Sequence, residues 1–192
     1  ELLVEALRSL GAEIEYVNKK GFPPLKITGK KTDVSQVSLP ANISSQYISA
    51  LMLIAPSLEN GLEIDLIGET TSIPYIKMTQ TLLENLGFKT FFNDNKIKIS
   101  PADKIILNQW TVESDWSSAS YFYSVVAIAN TSEITLKSYY SESLQGDSDL
   151  VQIYKKIGVT TVFNNGSIIL SKTPSFALPE VLDLDLRNTP DL

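Results

Sequence analysis

The stretch Asn42-Ile43-Ser44-Ser45-Gln46-Tyr47-Ile48-Ser49-Ala50-Leu51-Met52-Leu53-Ile54-Ala55-Pro56 sets a polar group (Asn42, Ser44, Ser45, Gln46) directly ahead of apolar residues at helical spacing, Ile48, Leu51, Met52 and Ala55. Ser or Asn in front of such a run reads as a helix N-cap. A helix that opens with two hydroxyls and a primary amide also offers free backbone N–H groups and the positive end of its dipole, which is how a protein holds a phosphate without a metal. Taken alone, the stretch favours plain capping by Ser44. A second piece, Thr71-Ser72-Ile73-Pro74-Tyr75, and a repeat that relates neighbouring segments shift the balance.

Working outward, three segments share one plan. Leu2 to Gly29 has an amphipathic helix closing on Leu10-Gly11, an extended run Ala12 to Val17, a turn at Asn18 to Gly21 and a return strand Leu25 to Thr28. Met78 to Ser100 repeats this with a helix to Leu86-Gly87, strands Phe88 to Phe92 and Lys96 to Ser100, and the turn Asn93-Asp94-Asn95 between them. Asp149 to Ser171 repeats it again, with Ile157-Gly158, strands Val159 to Phe163 and Ser167 to Ser171, and the turn Asn164-Asn165-Gly166. Leu7, Leu83 and Tyr154 precede Leu10, Leu86 and Ile157 by one helical turn, which marks a single apolar face. The Gly that follows each is the expected left-handed C-cap, and Asn-Gly is a strong hairpin signal.

Between these lie segments of a second kind. Ser44-Ser45 opens a helix followed by a strand Leu62 to Leu66, and Ser117-Ser118 opens another followed by a strand Glu133 to Lys137. The repeat from Gly87 to Gly158 is 71 residues and from Ser44 to Ser117 is 73. The expected unit is therefore strand, helix, strand, helix, strand, strand, an α/β (α+β) arrangement of repeated βαβαββ units. The helices Tyr47 to Ala55 and Ser120 to Ala129 are apolar nearly all round and read as buried helices with sheets packed about them. A cut near Thr111-Val112-Glu113 divides the chain into 1–112, one and a half to two units of a first domain, and 113–192, the start of a second.

Composition narrows the chemistry. The chain has 192 residues, no cysteine and no histidine, so thiolate chemistry, His-based triads and most zinc sites are excluded within it. Acid–base work falls to Asp, Glu, Lys or Tyr. A net charge of −6 with scattered basic residues argues against a nucleic-acid surface. No apolar run reaches the roughly 18 residues of a membrane span. The expectation is a soluble cytoplasmic protein with no membrane partner, no cofactor and no metal. The first residues already lie inside a helical pattern and the last are Pro190-Asp191-Leu192, which suggests a piece of a longer chain.

Five motifs in order complete the reading: Ser44-Ser45-Gln46; Ser72-Ile73-Pro74-Tyr75; Glu113-Ser114-Asp115-Trp116-Ser117-Ser118-Ala119-Ser120-Tyr121-Phe122; Leu144-Gln145-Gly146-Asp147; and Asn188-Thr189-Pro190-Asp191. Together they resemble the 5-enolpyruvylshikimate-3-phosphate synthase family, over essentially the whole chain. The resemblance implies a two-domain inverse α/β barrel of three such units per domain, of which this chain lacks the N-terminal part and most of the second domain. It also implies a monomeric transferase that moves the enolpyruvyl group of phosphoenolpyruvate onto the 5-hydroxyl of shikimate 3-phosphate and releases phosphate. Carried over by residue, Ser44, Ser45 and Ser72 bind the phosphate of shikimate 3-phosphate, Gln46 and Tyr75 bind or pack against its ring, and Asp191 accepts a hydrogen bond from the reacting hydroxyl as general base.

Phosphoenolpyruvate calls for Arg forks and Lys charges. The two arginines here, Arg8 and Arg187, match no family ligand position. The chain is therefore expected to hold one wall of the shikimate 3-phosphate site, almost none of the phosphoenolpyruvate site, and no activity alone. Ser114 and Trp116 depart from the small residues common in the third motif, which touches local packing, not chemistry. On the residues alone, Asp115 and Ser117 read as caps of the following helix. Two rival readings are the sister enzyme that transfers enolpyruvate to UDP-N-acetylglucosamine and a non-catalytic repeat domain binding through the turns Asn93 to Asn95 and Asn164 to Gly166.

Overall fold

A computed structural model describes residues 1–70, 73–102, 109–186, 189 and 191–192. The chain forms two units, Glu1–Asn108 and Gln109–Leu192.

In the first unit α1 (Leu2–Ser9) turns its buried Val4 and Ala6 inward and ends at Gly11, whose φ of +94° is the left-handed stop a Gly supplies without a Cβ penalty. β1 (Glu13–Tyr16) and β2 (Leu25–Thr28) follow as an antiparallel hairpin in register Glu13↔Thr28. A complete unit comes next: β3 (Gln36–Pro40), α2 (Ser45–Ile54), β4 (Leu62–Ile67), α3 (Ile73–Asn85), β5 (Thr90–Asn93) and β6 (Lys96–Ile99). Its four strands lie in the order β3-β4-β6-β5, with β3 parallel to β4 and the other pairs antiparallel.

Period-two alternation builds this sheet. Val37 and Leu39, Leu62, Ile64 and Leu66, and Ile97 and Ile99 point into a core completed by Ile48, Leu51 and Met52 of α2 and Ile76 and Leu83 of α3. The opposite face is solvated and carries a charge ladder, in which Lys96 meets Glu63 at 2.9 Å and Asp65 at 3.3 Å. Gln36 Nε2 donates to Asp65 at 2.7 Å and, with Lys96 beside it, holds that carboxyl below its usual range.

The second unit contains α4 (Trp116–Ile128), β7 (Glu133–Lys137), α5 (Leu150–Lys155), β8 (Val159–Asn164) and β9 (Ser167–Lys172), with an antiparallel sheet in the order β7-β9-β8. Trp116, Tyr123 and Leu150 are fully buried against Ile168 and Leu170. The Tyr123 hydroxyl pairs with Thr161 Oγ1 at 2.8 Å, and burial pushes it up to about 12. Asn93-Asp94-Asn95 and Asn164-Asn165-Gly166 form the expected tight hairpins, with positive φ at Asp94, Asn95, Asn165 and Gly166.

Two expectations need correction. The helix of the second unit begins at Trp116, ahead of the Ser117-Ser118 pair, because Asp115 supplies the cap: its carboxylate accepts from Ser117 N at 3.0 Å and Ser118 Oγ at 2.6 Å. Ser117 is therefore not a cap; its hydroxyl donates to the buried Asp147. The spacing changes accordingly. From Ser45 to Trp116, from Leu62 to Glu133 and from Lys96 to Ser167 is 71 residues each time, the period of the glycines. The apolar helices each cover one face within this chain. Ile48, Leu51 and Met52 of α2 are buried while Leu53 is open, and on α4 Tyr121 and Ile128 are 75% and 83% exposed. Among the described residues no helix is long and apolar enough to cross a membrane.

Candidate functional site

The parallel pair β3/β4 decides where two helices start. Their register, Gln36↔Glu63 through Pro40↔Ile67, is closed by a bond from Ala41 N to Ile67 O at 2.8 Å, so both strands end at the same edge of the sheet. α2 departs from the end of β3 and α3 from the end of β4, and ligands in open α/β sheets gather beyond such carboxyl ends. The helices then run side by side. The fifth residue of α2, Ser49, shares a 2.9 Å hydroxyl bond with the seventh of α3, Thr79, whose Oγ1 also donates to Tyr75 O at 3.0 Å. The first turns of both helices thus sit at one end of the first unit, with their backbone N–H groups directed outward.

Ser44 is the N-cap of α2, exposed, with its Oγ accepting from Gln46 N at 3.3 Å. That bond uses an oxygen lone pair and leaves the hydroxyl proton for another acceptor. Ser45 opens the helix and is half-buried; Gln46 is exposed beside it. Tyr75, half-buried, is the third residue of α3. Ser72, the other phosphate ligand expected from the sequence, lies outside the described residues. Asp191, exposed, belongs to the second unit and follows the buried Thr189. The structure therefore places Ser44, Ser45 and Gln46 at the start of α2 and Tyr75 in the first turn of α3, the helix that packs beside it. Among the described residues no cluster of three or more Asp or Glu is disposed to hold a metal.

The start of α4 is built differently. The Asp115 carboxyl is held below its usual value, chiefly because the Ser118 hydroxyl donates to it. Gln145 brackets the segment that leads in: its Nε2 donates to Ser114 O at 2.9 Å and its Oε1 accepts from Trp116 N at 2.9 Å. Tyr139 OH donates to Asp115 O at 2.9 Å, and Ser143 Oγ to Glu113 at 2.7 Å. The roles of Gln145 and Asp147 were not legible beforehand, although the Leu144-Gln145-Gly146-Asp147 motif flagged the place.

A parallel strand pair with two helix starts on one edge, inside a βαβαββ unit whose elements from α2 to β6 recur 71 residues on as α4 to β9, defines a protein built by repetition of a single α/β module. The chain belongs to the EPSP synthase (3-phosphoshikimate 1-carboxyvinyltransferase) family, whose model matches residues 1–192. It is 42% identical over 193 residues to a 3-phosphoshikimate 1-carboxyvinyltransferase of Bacteroides fragilis, covering 100% of this chain and 46% of the relative. Against the enzyme of that name from Colwellia psychrerythraea it is 35% identical over 196 residues, covering 98% of this chain and 44% of the relative. It therefore spans slightly under half the length of these relatives. A solved EPSP synthase from Acinetobacter baumannii superposes with a TM-score of 0.64 at 24% identity, over 94% of this chain and 42% of that one. That likeness is one of fold, and it agrees with the inverse α/β barrel expected from the motifs.

Proposed function

We propose that this chain supplies one wall of the shikimate 3-phosphate site in a 3-phosphoshikimate 1-carboxyvinyltransferase, with 1–112 and 113–192 contributing to two successive domains. The supporting observation is the common edge from which α2 and α3 start. There α2 opens with the Ser44 and Ser45 hydroxyls and its first-turn amides, and α3 packs alongside through Ser49 and Thr79. A dianionic phosphate suits this setting, since each helix dipole favours it by roughly 0.3–1 kcal/mol and charged hydrogen bonds add more. Ser72 completes the phosphate grip, and Gln46 and Tyr75 border the ring.

The reaction joins the 5-hydroxyl oxygen to the enolpyruvyl carbon of phosphoenolpyruvate, breaks the bond from that carbon to the phosphate oxygen, and sets phosphate free. Asp191 accepts the hydroxyl proton as that bond forms. Charge to balance the phosphate and carboxylate of phosphoenolpyruvate comes from residues beyond this chain, in a monomeric, cytoplasmic enzyme.

Ser45→Ala in a chain of the relatives' full length tests the reading. Loss of a hydroxyl that donates to a charged acceptor is expected to weaken shikimate 3-phosphate about tenfold or more, with the thermal midpoint unchanged. An unaltered dissociation constant would reduce Ser45 to part of the helix start, and saturable binding of UDP-N-acetylglucosamine instead would favour the sister transferase.

A further inference from the structure

We propose that Asn95, in the turn between β5 and β6, is a positioning residue for the substrate-phosphate end of the first unit. This rests on the functional reading above and deepens it. Three bonds carry the inference. Asn95 Nδ2 donates to Gly68 O at 2.5 Å, its Oδ1 accepts from Thr70 Oγ1 at 2.8 Å, and its backbone carbonyl accepts from Leu66 N at 2.8 Å. A single residue thus grips the last turn of β4 and the connection that launches α3 three residues after Thr70. Both side-chain bonds fall on residues just beyond β4, one of them Gly68 with the left-handed φ of +102°.

Asparagine does two separable things here. It tolerates the left-handed φ of +63° that the hairpin demands, and it offers an amide able to donate and accept at once. The turn needs only the first, and Gly serves it at least as well. The bonds to Gly68 and Thr70 need the second. Fixing this loop sets where the first turn of α3 stands relative to that of α2, and an anion shared by two helix starts responds steeply to their separation.

The test uses the full-length chain and compares Asn95→Gly, which keeps the turn and removes the amide, with Thr70→Val and Thr70→Ser. Asn95→Gly, which loses two side-chain hydrogen bonds, and Thr70→Val, which loses one, are expected to raise the KM and the dissociation constant for shikimate 3-phosphate, Thr70→Val about fivefold to tenfold and Asn95→Gly at least as much. The KM for phosphoenolpyruvate and the thermal midpoint should hold, and Thr70→Ser, which restores the hydroxyl, should restore affinity. The Asn95→Gly/Thr70→Val pair should be less than additive. Should Asn95→Gly disturb folding, Thr70→Val with its Ser rescue carries the same comparison. Wild-type affinity in Asn95→Gly and Thr70→Val, measured beside a weakened Ser45→Ala, would overturn the inference and leave the functional reading standing. Unchanged affinity in Ser45→Ala as well would remove that reading itself.

Discussion

Asp115 does at the start of α4 what Ser44 does at the start of α2, but with a carboxylate. Asp115→Ala is expected to cost about 1 kcal/mol of second-unit stability, the ordinary worth of a cap, read by chemical denaturation. The sign of its pH dependence follows from its depressed pKa. The stabilisation is fully present above the unfolded carboxyl value near 4, and it fades as pH falls through the lower folded value, so wild type and variant should converge in strong acid. In the full-length chain, Asp191→Asn is expected to depress kcat far more than it weakens shikimate 3-phosphate binding; equal turnover would take Asp191 out of the base role. Local residues such as Ser44, Ser45 and Asp115 were legible in the sequence because capping is written within four positions. Gln145 and Asp147 were not, because their partners Ser114, Trp116 and Ser117 lie about 30 residues away and meet only in the folded unit.

At the level of elements, period-two and helical patterning revealed nearly every strand and helix, and the Asn-rich turns marked two hairpins. Of the two caps read for α4, Asp115 holds and Ser117 does not, because the helix opens on a bulky Trp116 that the core demands, one residue ahead of the Ser117-Ser118 pair. Parallel pairing of β3 with β4 could not be read at all: it is a long-range choice, and it is what aligns the two helix starts. Gly61 shows how tightly the opposite end of this sheet is drawn. With φ +67°, a Cβ there would sit 2.2 Å from Ile99 O, which is backbone and cannot yield. Gly61→Ala is expected to destabilise the first unit by more than about 1 kcal/mol, seen as a lower denaturation midpoint with the second unit unaffected.

For the molecule as a whole, the open side of α4 matters most. Tyr121, Phe122, Val125 and Ile128 form one exposed apolar stripe, of the kind that soluble chains bury or use. The 192-residue chain alone is expected to bind a hydrophobic dye and to associate as its concentration rises, and Tyr121→Glu with Ile128→Glu should suppress both. It should also show no transferase turnover, since it spans less than half the length of its relatives. The duplicated module carries a last consequence. The second copy has its own counter-ion installed, because the Asp115 carboxylate already occupies the seat in front of α4, whereas the Ser44 copy is left electrically unfilled. Two look-alike halves should therefore take up inorganic phosphate in a ratio of one per chain, not two, with the start of α2 as the place that responds.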